Sequence, residues 1–186
     1  MKRVQYNSPV VLTFFLVSLA ALILGRITGG WTTRALFSVY RSPLSPLFLL
    51  RLFGHVLGHA SFAHFAGNMV LFLVVGPPME EKYGSKLLLG AIALTALVSG
   101  LVQCLLFPHT ALLGASGVVF MLILLSSLSG MKQGRIPLTL ILVALLYLGQ
   151  EVVSMVAVRD NISNLTHILG GLCGTGFGFW VEKYRK

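Results

Sequence analysis

The sequence predicts an all-α integral membrane protein: a bundle of six transmembrane helices with an interfacial first loop. Three observations carry this. Hydrophobic residues make up 56% of the chain and charged residues only 10%, against about 25% charged in a soluble domain. Six apolar runs, at roughly 9–25, 60–78, 87–107, 111–129, 136–158 and 165–181, approach the ~20 residues a helix needs to cross a bilayer. None shows the strict apolar/polar alternation of a membrane β-strand. One domain accounts for all 186 residues, and no internal repeat divides them.

The first run, "VVLTFFLVSLAALILG", follows Lys2 and Arg3. A signal peptide would begin similarly, but this run has the length of a span and no A-x-A site after it. Residues 26–58 mix Gly, Pro, Trp and Arg with short apolar pieces. They are too polar to cross and too apolar to float, so they are expected at the interface, with Trp31 and Tyr40 at headgroup level. The second and third runs are joined by a charged turn, "EEKYGSK" (80–86). "GMKQGR" (130–135) is another such turn, with Pro137 near the start of the fifth run.

The net charge of +9 does not point to nucleic acid, because the basic residues sit at the ends of the runs. With the N-terminus inside, six crossings leave nine basic residues inside and five outside, four of the five in the long first loop. Both termini are then cytoplasmic. The expected location is the cell membrane, with the lipid bilayer as solvent. Cys104 and Cys173 both fall in spans and read as small hydrophobes, too few for a zinc site or a disulfide framework.

In this orientation the second, fourth and sixth spans run the same way, so their N-terminal ends share one depth near the outer leaflet. The unusual polar residues are there. "HVLGHASFAHFAGNMV" begins the second span with His59, His64 and Asn68, the last two one turn apart on a common face. "GASG" puts Ser116 between glycines at the start of the fourth. "NLTHILGGLCGTG" puts His167 one turn before Gly170, on the glycine face that continues through Gly174 and Gly178. Polar groups in lipid are costly and must face the bundle interior or a wet cavity.

Taken singly, each motif has a plain alternative: hydrogen-bond glue between helices for the histidines and asparagine, a small-residue contact for Ser116, a packed histidine for His167. Together they fit nucleophilic chemistry. Glycines let a substrate approach Ser116, and first-turn amides can stabilise an oxyanion. A neutral His167 can take the serine proton if the sixth span packs on the fourth. No carboxylate is suited to orient His167, which leaves a Ser–His dyad with His64 and Asn68 as candidate oxyanion donors.

These residues resemble the rhomboid family of intramembrane serine proteases, whose pattern is His-x4-His-x3-Asn, then GxSG, then His-x2-Gly-x3-Gly on alternate spans. Here it is met by His59, His64 and Asn68, by Gly114, Ser116 and Gly117, and by His167, Gly170 and Gly174. The resemblance covers the whole six-span chain. It implies a compact rhomboid-like bundle in which Ser116 is the nucleophile and His167 the general base. His64, Asn68 and the Ser116 N–H would form the oxyanion hole, and Gly114 would give access. It also implies that Arg51 ends the embedded first loop and that Glu81 holds the structural acidic position after the second span. Two residues depart from the family. Phe120 stands where tyrosine is usual, keeping a ring to stack on the histidine without the hydroxyl. Leu50-Arg51 stands for a Trp-Arg pair.

The expected reaction hydrolyses a peptide bond in or beside a transmembrane segment of another protein, with no cofactor or metal and with water entering from the outer side. Two alternatives differ in class. One is a non-catalytic rhomboid-like protein that holds membrane clients. The other is a small transporter or metal-binding membrane protein using His55 and His59, four residues apart.

Overall fold

The computed structural model describes residues 5–128, 135–143, 145–146 and 161–184. Its helices are α1 (Pro9–Ile27), α2 (Trp31–Leu36), α3 (Pro46–Gly54), α4 (Phe62–Tyr83), α5 (Ser85–Leu106), α6 (Ser116–Leu128), α7 (Leu138–Val143) and α8 (Asn161–Tyr184), with a 3-10 turn at His55–Leu57 after α3. Three of these, α1, α4 and α5, are long and apolar enough to cross a membrane, while α6 and residues Leu165–Val181 of α8 are shorter apolar helices. The fifth expected span, 136–158, falls largely outside the described residues, which include α7 at its start.

Helix α6 is the axis of the bundle. Val118, Met121, Leu122, Leu124, Leu125 and Leu128 are all fully buried, so most of its surface is apolar and covered, as expected of an inner helix. Among the described residues helix α8 packs against it more closely than any other pair of helices, α4 and α5 lie on its other flanks, and α1 packs on α4. At the α1–α4 contact, Gly76 leaves room for Val11, whose Cγ2 would lie 2.8 Å from a Cβ there.

The expected "EEKYGSK" turn is almost entirely helical. Helix α4 runs to Tyr83, and only Gly84, at φ +85°, breaks the chain before α5. Glu80 ties this corner to α1. Its carboxylate accepts the Val10 N–H at 2.9 Å, the Val11 N–H at 3.0 Å and the Ser85 hydroxyl at 2.7 Å. It therefore caps the open amides at the start of α1. Glu81, expected in the structural role, is exposed. The acidic position is Glu80.

The first loop folds into α2, α3 and the 3-10 turn, with Ser45 capping α3 by accepting the Phe48 N–H at 3.1 Å. Helix α3 turns Arg51 and Leu52 inward and leaves Leu47, Leu49, Leu50 and Phe53 exposed, the pattern of an interfacial helix. Arg51 closes the loop: its Nε donates to the Ala35 carbonyl at 2.8 Å, and its guanidinium lies 4.5 Å above the Tyr40 ring. Trp31 is exposed as expected of an interfacial anchor, but Tyr40 is half-buried under Arg51.

Candidate active site

The fourth span begins at Ser116 and not at 111. Two tethers hold the preceding segment out of helix. Val39 and Leu112 exchange both backbone hydrogen bonds at 2.9 Å, and the Gly114 N–H donates to the His55 carbonyl at 2.9 Å. Gly114 itself sits at φ +125°, where an L side chain is strained. Ala115 then accepts from the Val119 N–H, the first α-helical bond of α6. The amides of Ser116, Gly117 and Val118 thus lie in the first turn, which has no intrahelical acceptors.

These tethers also set the depth of the serine. The His55 ring meets Ser99 Oγ at 3.3 Å, and the His55 carbonyl holds Gly114. Ser99 lies seven residues before the end of α5, or roughly 10 Å at 1.5 Å per residue. The Ser116 loop is therefore sunk well below the helix ends, and Ser116 is half-buried.

Helix α4 brings its polar residues to the same loop. Ser61 caps α4 by accepting the His64 N–H at 3.1 Å. A Cβ on Gly114 would stand 2.9 Å from His64 Nε2 and 4.0 Å from Asn68 Nδ2. The missing side chain of Gly114 is thus the space in which the His64 ring sits, with the Asn68 amide beside it. Asn68 is buried, and its Nδ2 has no hydrogen-bond partner among the described residues. An unspent buried donor facing this loop is costly unless something else accepts from it.

Helix α8 supplies the histidine. A Cβ on Gly170 would fall on the Gly117 carbonyl, and one on Gly174 would fall on the Met121 carbonyl. This is backbone-to-backbone packing, which only glycine permits. Thr166 lies against Gly117, so the next residue, His167, projects beside the start of α6. Its ring stacks on Phe120, with centroids 4.3 Å apart and planes 3° apart.

His59 precedes α4 and does not sit on it. Its ring packs edge-on against His64 at 5.1 Å and against Phe65 at 5.4 Å. Its Nδ1 pairs with the Leu57 carbonyl at 3.2 Å, and burial is the main cause that pushes its pKa down to about 4, helped by His64. His59 therefore buttresses His64 as a neutral ring. His55 and His59 do not converge as metal ligands. The His55 nitrogens meet the Arg51 carbonyl and Ser99 Oγ, both at 3.3 Å.

The structure thus brings Gly114, Ser116, His64, Asn68, His167, Phe120, Gly170 and Gly174 to one place, with His59 behind them. Two residues with a part in building the site escape sequence reasoning: Val39 and His55, which act through backbone carbonyls and amides.

Fold and site together define a class: a multi-pass helical membrane protein that gathers a serine, two histidines and an asparagine where its helices begin, inside the bundle. Residues 47–184 match the rhomboid domain, and the chain belongs to the rhomboid family. It is similar to Rhomboid protease GlpG of Pectobacterium atrosepticum, 30% identical over 186 residues, covering 98% of this chain and 66% of that protein. Rhomboid protease GlpG of Serratia proteamaculans is 27% identical over 181 residues, covering 95% of this chain and 64% of that one. Rhomboid-related protein 1 of Caenorhabditis elegans is 32% identical over 133 residues, covering 66% of this chain and 37% of that one. The chain thus spans just under two thirds of the length of the two bacterial relatives.

Proposed function

We propose that this protein is an intramembrane serine protease that hydrolyses peptide bonds in or beside transmembrane segments of other membrane proteins, using Ser116 and His167. The observation that carries the proposal is the packing at Gly114: the His64 ring and the free Asn68 amide face the loop that delivers Ser116 to the first turn of α6. Structural packing alone gives no reason for a donor left unspent there. The two bacterial relatives carry the name protease, which supports the same reading.

In the mechanism, Ser116 Oγ attacks the scissile carbonyl while His167 takes its proton. The carbonyl oxygen becomes an oxyanion, met by the Ser116 N–H, His64 and Asn68 Nδ2. Collapse breaks the C–N bond, and His167 returns the proton to the leaving amine. Water then adds to the acyl-enzyme with His167 again as base, and the acid product leaves. Phe120 holds the imidazole plane throughout. A sunken site needs a substrate whose helix unwinds locally, since a helical peptide keeps its carbonyls bonded. With both termini cytoplasmic and six crossings, the Ser116 site would face the outer side of the cell membrane.

Labelling tests the proposal. A fluorophosphonate should modify the wild-type protein at Ser116, and should modify neither Ser116→Ala nor, at comparable rate, His167→Ala. Equal labelling of all three would contradict the dyad.

A further inference from the structure

We propose that the cavity between the end of α1 and α2 binds the headgroup phosphate of an anionic phospholipid, in the leaflet on the side where α6 begins, held by Arg26 and Arg34. This inference goes beyond the proteolytic reading and does not depend on it.

The cavity has a volume of about 480 Å³. Its floor is Leu22 and Gly25 of α1, its rim carries Arg26 and Arg34, and His59 forms part of its wall. Gly29 and Gly30 make the turn above it, and each has open space where a side chain would stand. The opening is thus not filled by the chain itself. Both arginines are exposed, and among the described residues neither has an ion-pair partner. Glu80 and Glu81 lie at the far end of α4, roughly 30 Å from its start at 1.5 Å per residue.

Depth and chemistry select the occupant. Trp31, the first residue of α2, is 67% exposed, and indole rings favour the headgroup layer. Below the Arg26 rim the flank of α1 offers Ile23 and Leu24 to lipid. A phosphodiester seated on the two guanidiniums would accept paired hydrogen bonds from them, while its acyl chains run down that flank. A soluble acidic peptide would match the charges but not the apolar floor and flank. The wall has a second connection. His59 packs edge-on against His64, so a bound headgroup would bear on the loop that leads into the active-site helix.

The test uses the full chain in neutral detergent micelles, titrated with phosphatidylglycerol, with inorganic phosphate and with a glutamate-rich peptide. Thermal unfolding and native mass spectrometry are the readouts. Phosphatidylglycerol should stabilise the wild type and bind as a discrete adduct. The double variant Arg26→Gln/Arg34→Gln should weaken that binding by roughly thirtyfold, from the worth of two basic side chains at the headgroup surface. Arg41→Gln, outside the cavity, should not. If the double variant does not fold, each single variant should weaken binding by roughly fivefold. Binding unchanged in the arginine variants overturns the proposal. So does equal stabilisation by inorganic phosphate or by the peptide, which would assign the cavity to a free anion or an acidic segment.

Discussion

The Phe120 and His167 rings lie parallel, 3° from coplanar stacking, with centroids 4.3 Å apart. They come from different helices, so the stack holds the imidazole at a fixed angle over the start of α6. Phe120→Ala removes it. The expected cost is about 2–4 kcal/mol in stability, from lost burial and the lost stack, and about a tenfold loss of cleavage rate, since a mis-set base loses roughly that much for each 1.4 kcal/mol. Phe120→Tyr should keep the stack and retain at least wild-type activity. Initial rates on a transmembrane substrate in proteoliposomes check both.

The α6–α8 seam gives a prediction with an internal control. A methyl group at Gly170 or Gly174 meets the Gly117 or Met121 carbonyl. Gly170→Ala and Gly174→Ala should each destabilise by about 1–3 kcal/mol as an overpacked contact and lower activity by moving His167. Gly176, on the same helix, has open space. Gly176→Ala should be neutral or stabilising by up to about 1 kcal/mol. Thermal unfolding in detergent separates the two outcomes.

Neighbouring acids should behave differently. Glu80→Gln weakens three bonds that a carboxylate makes to the start of α1 and to Ser85, and should cost about 1–3 kcal/mol. Glu81→Gln alters an exposed side chain and should shift stability by less than about 0.5 kcal/mol. Comparable losses in the two variants would contradict the capping role of Glu80.

Acid should weaken the fold through the first loop. Burial pushes both His55 and His59 from the ordinary 6.5 down to about 4. Between those values the unfolded chain binds protons that the folded chain refuses, so stability falls as pH drops. It should be flat with respect to these groups above pH 6.5 and decline from there towards pH 4. Unfolding temperatures measured across that range in one detergent would show it, and a rise on acidification would contradict it.

Much of this was legible in the sequence because a membrane restricts the menu. Polar residues in apolar runs must face inward, so His64, Asn68, Ser116 and His167 could be grouped before any coordinates. The glycine spacing at 170, 174 and 178 likewise foretold the close seam with α6. What stayed hidden depends on backbone. Nothing in the letters of Val39 or His55 says that their backbone groups pin the Ser116 loop, and so the fourth helix was expected to start at 111. Glu80 was hidden for a different reason. Two adjacent acids in a charged stretch read as a solvated turn, yet Phe72, Gly76, Glu80 and Tyr83 share the buried stripe of α4. Helical periodicity continued past Pro77 and Pro78 would have picked Glu80 over Glu81.

The oxyanion assignment has its own consequence. Asn68→Ala removes a donor without touching Ser116 or His167, and the loss of one such donor costs about a hundredfold to a thousandfold at the upper end. Cleavage and fluorophosphonate labelling of Ser116 should both slow, because the phosphonyl oxygen also takes up charge in the oxyanion hole, while the unfolding temperature stays near that of the wild type. An equal loss accompanied by a large fall in unfolding temperature would place Asn68 in the packing of the site and not in the oxyanion hole.

The most direct measurement reconstitutes the purified protein with a single-span substrate in liposomes and follows the product on a gel. The wild type should cut the substrate. Ser116→Ala and His167→Ala, each shown to be folded by its unfolding temperature, should not cut it. Cleavage by folded Ser116→Ala at the wild-type rate would contradict the account at its centre.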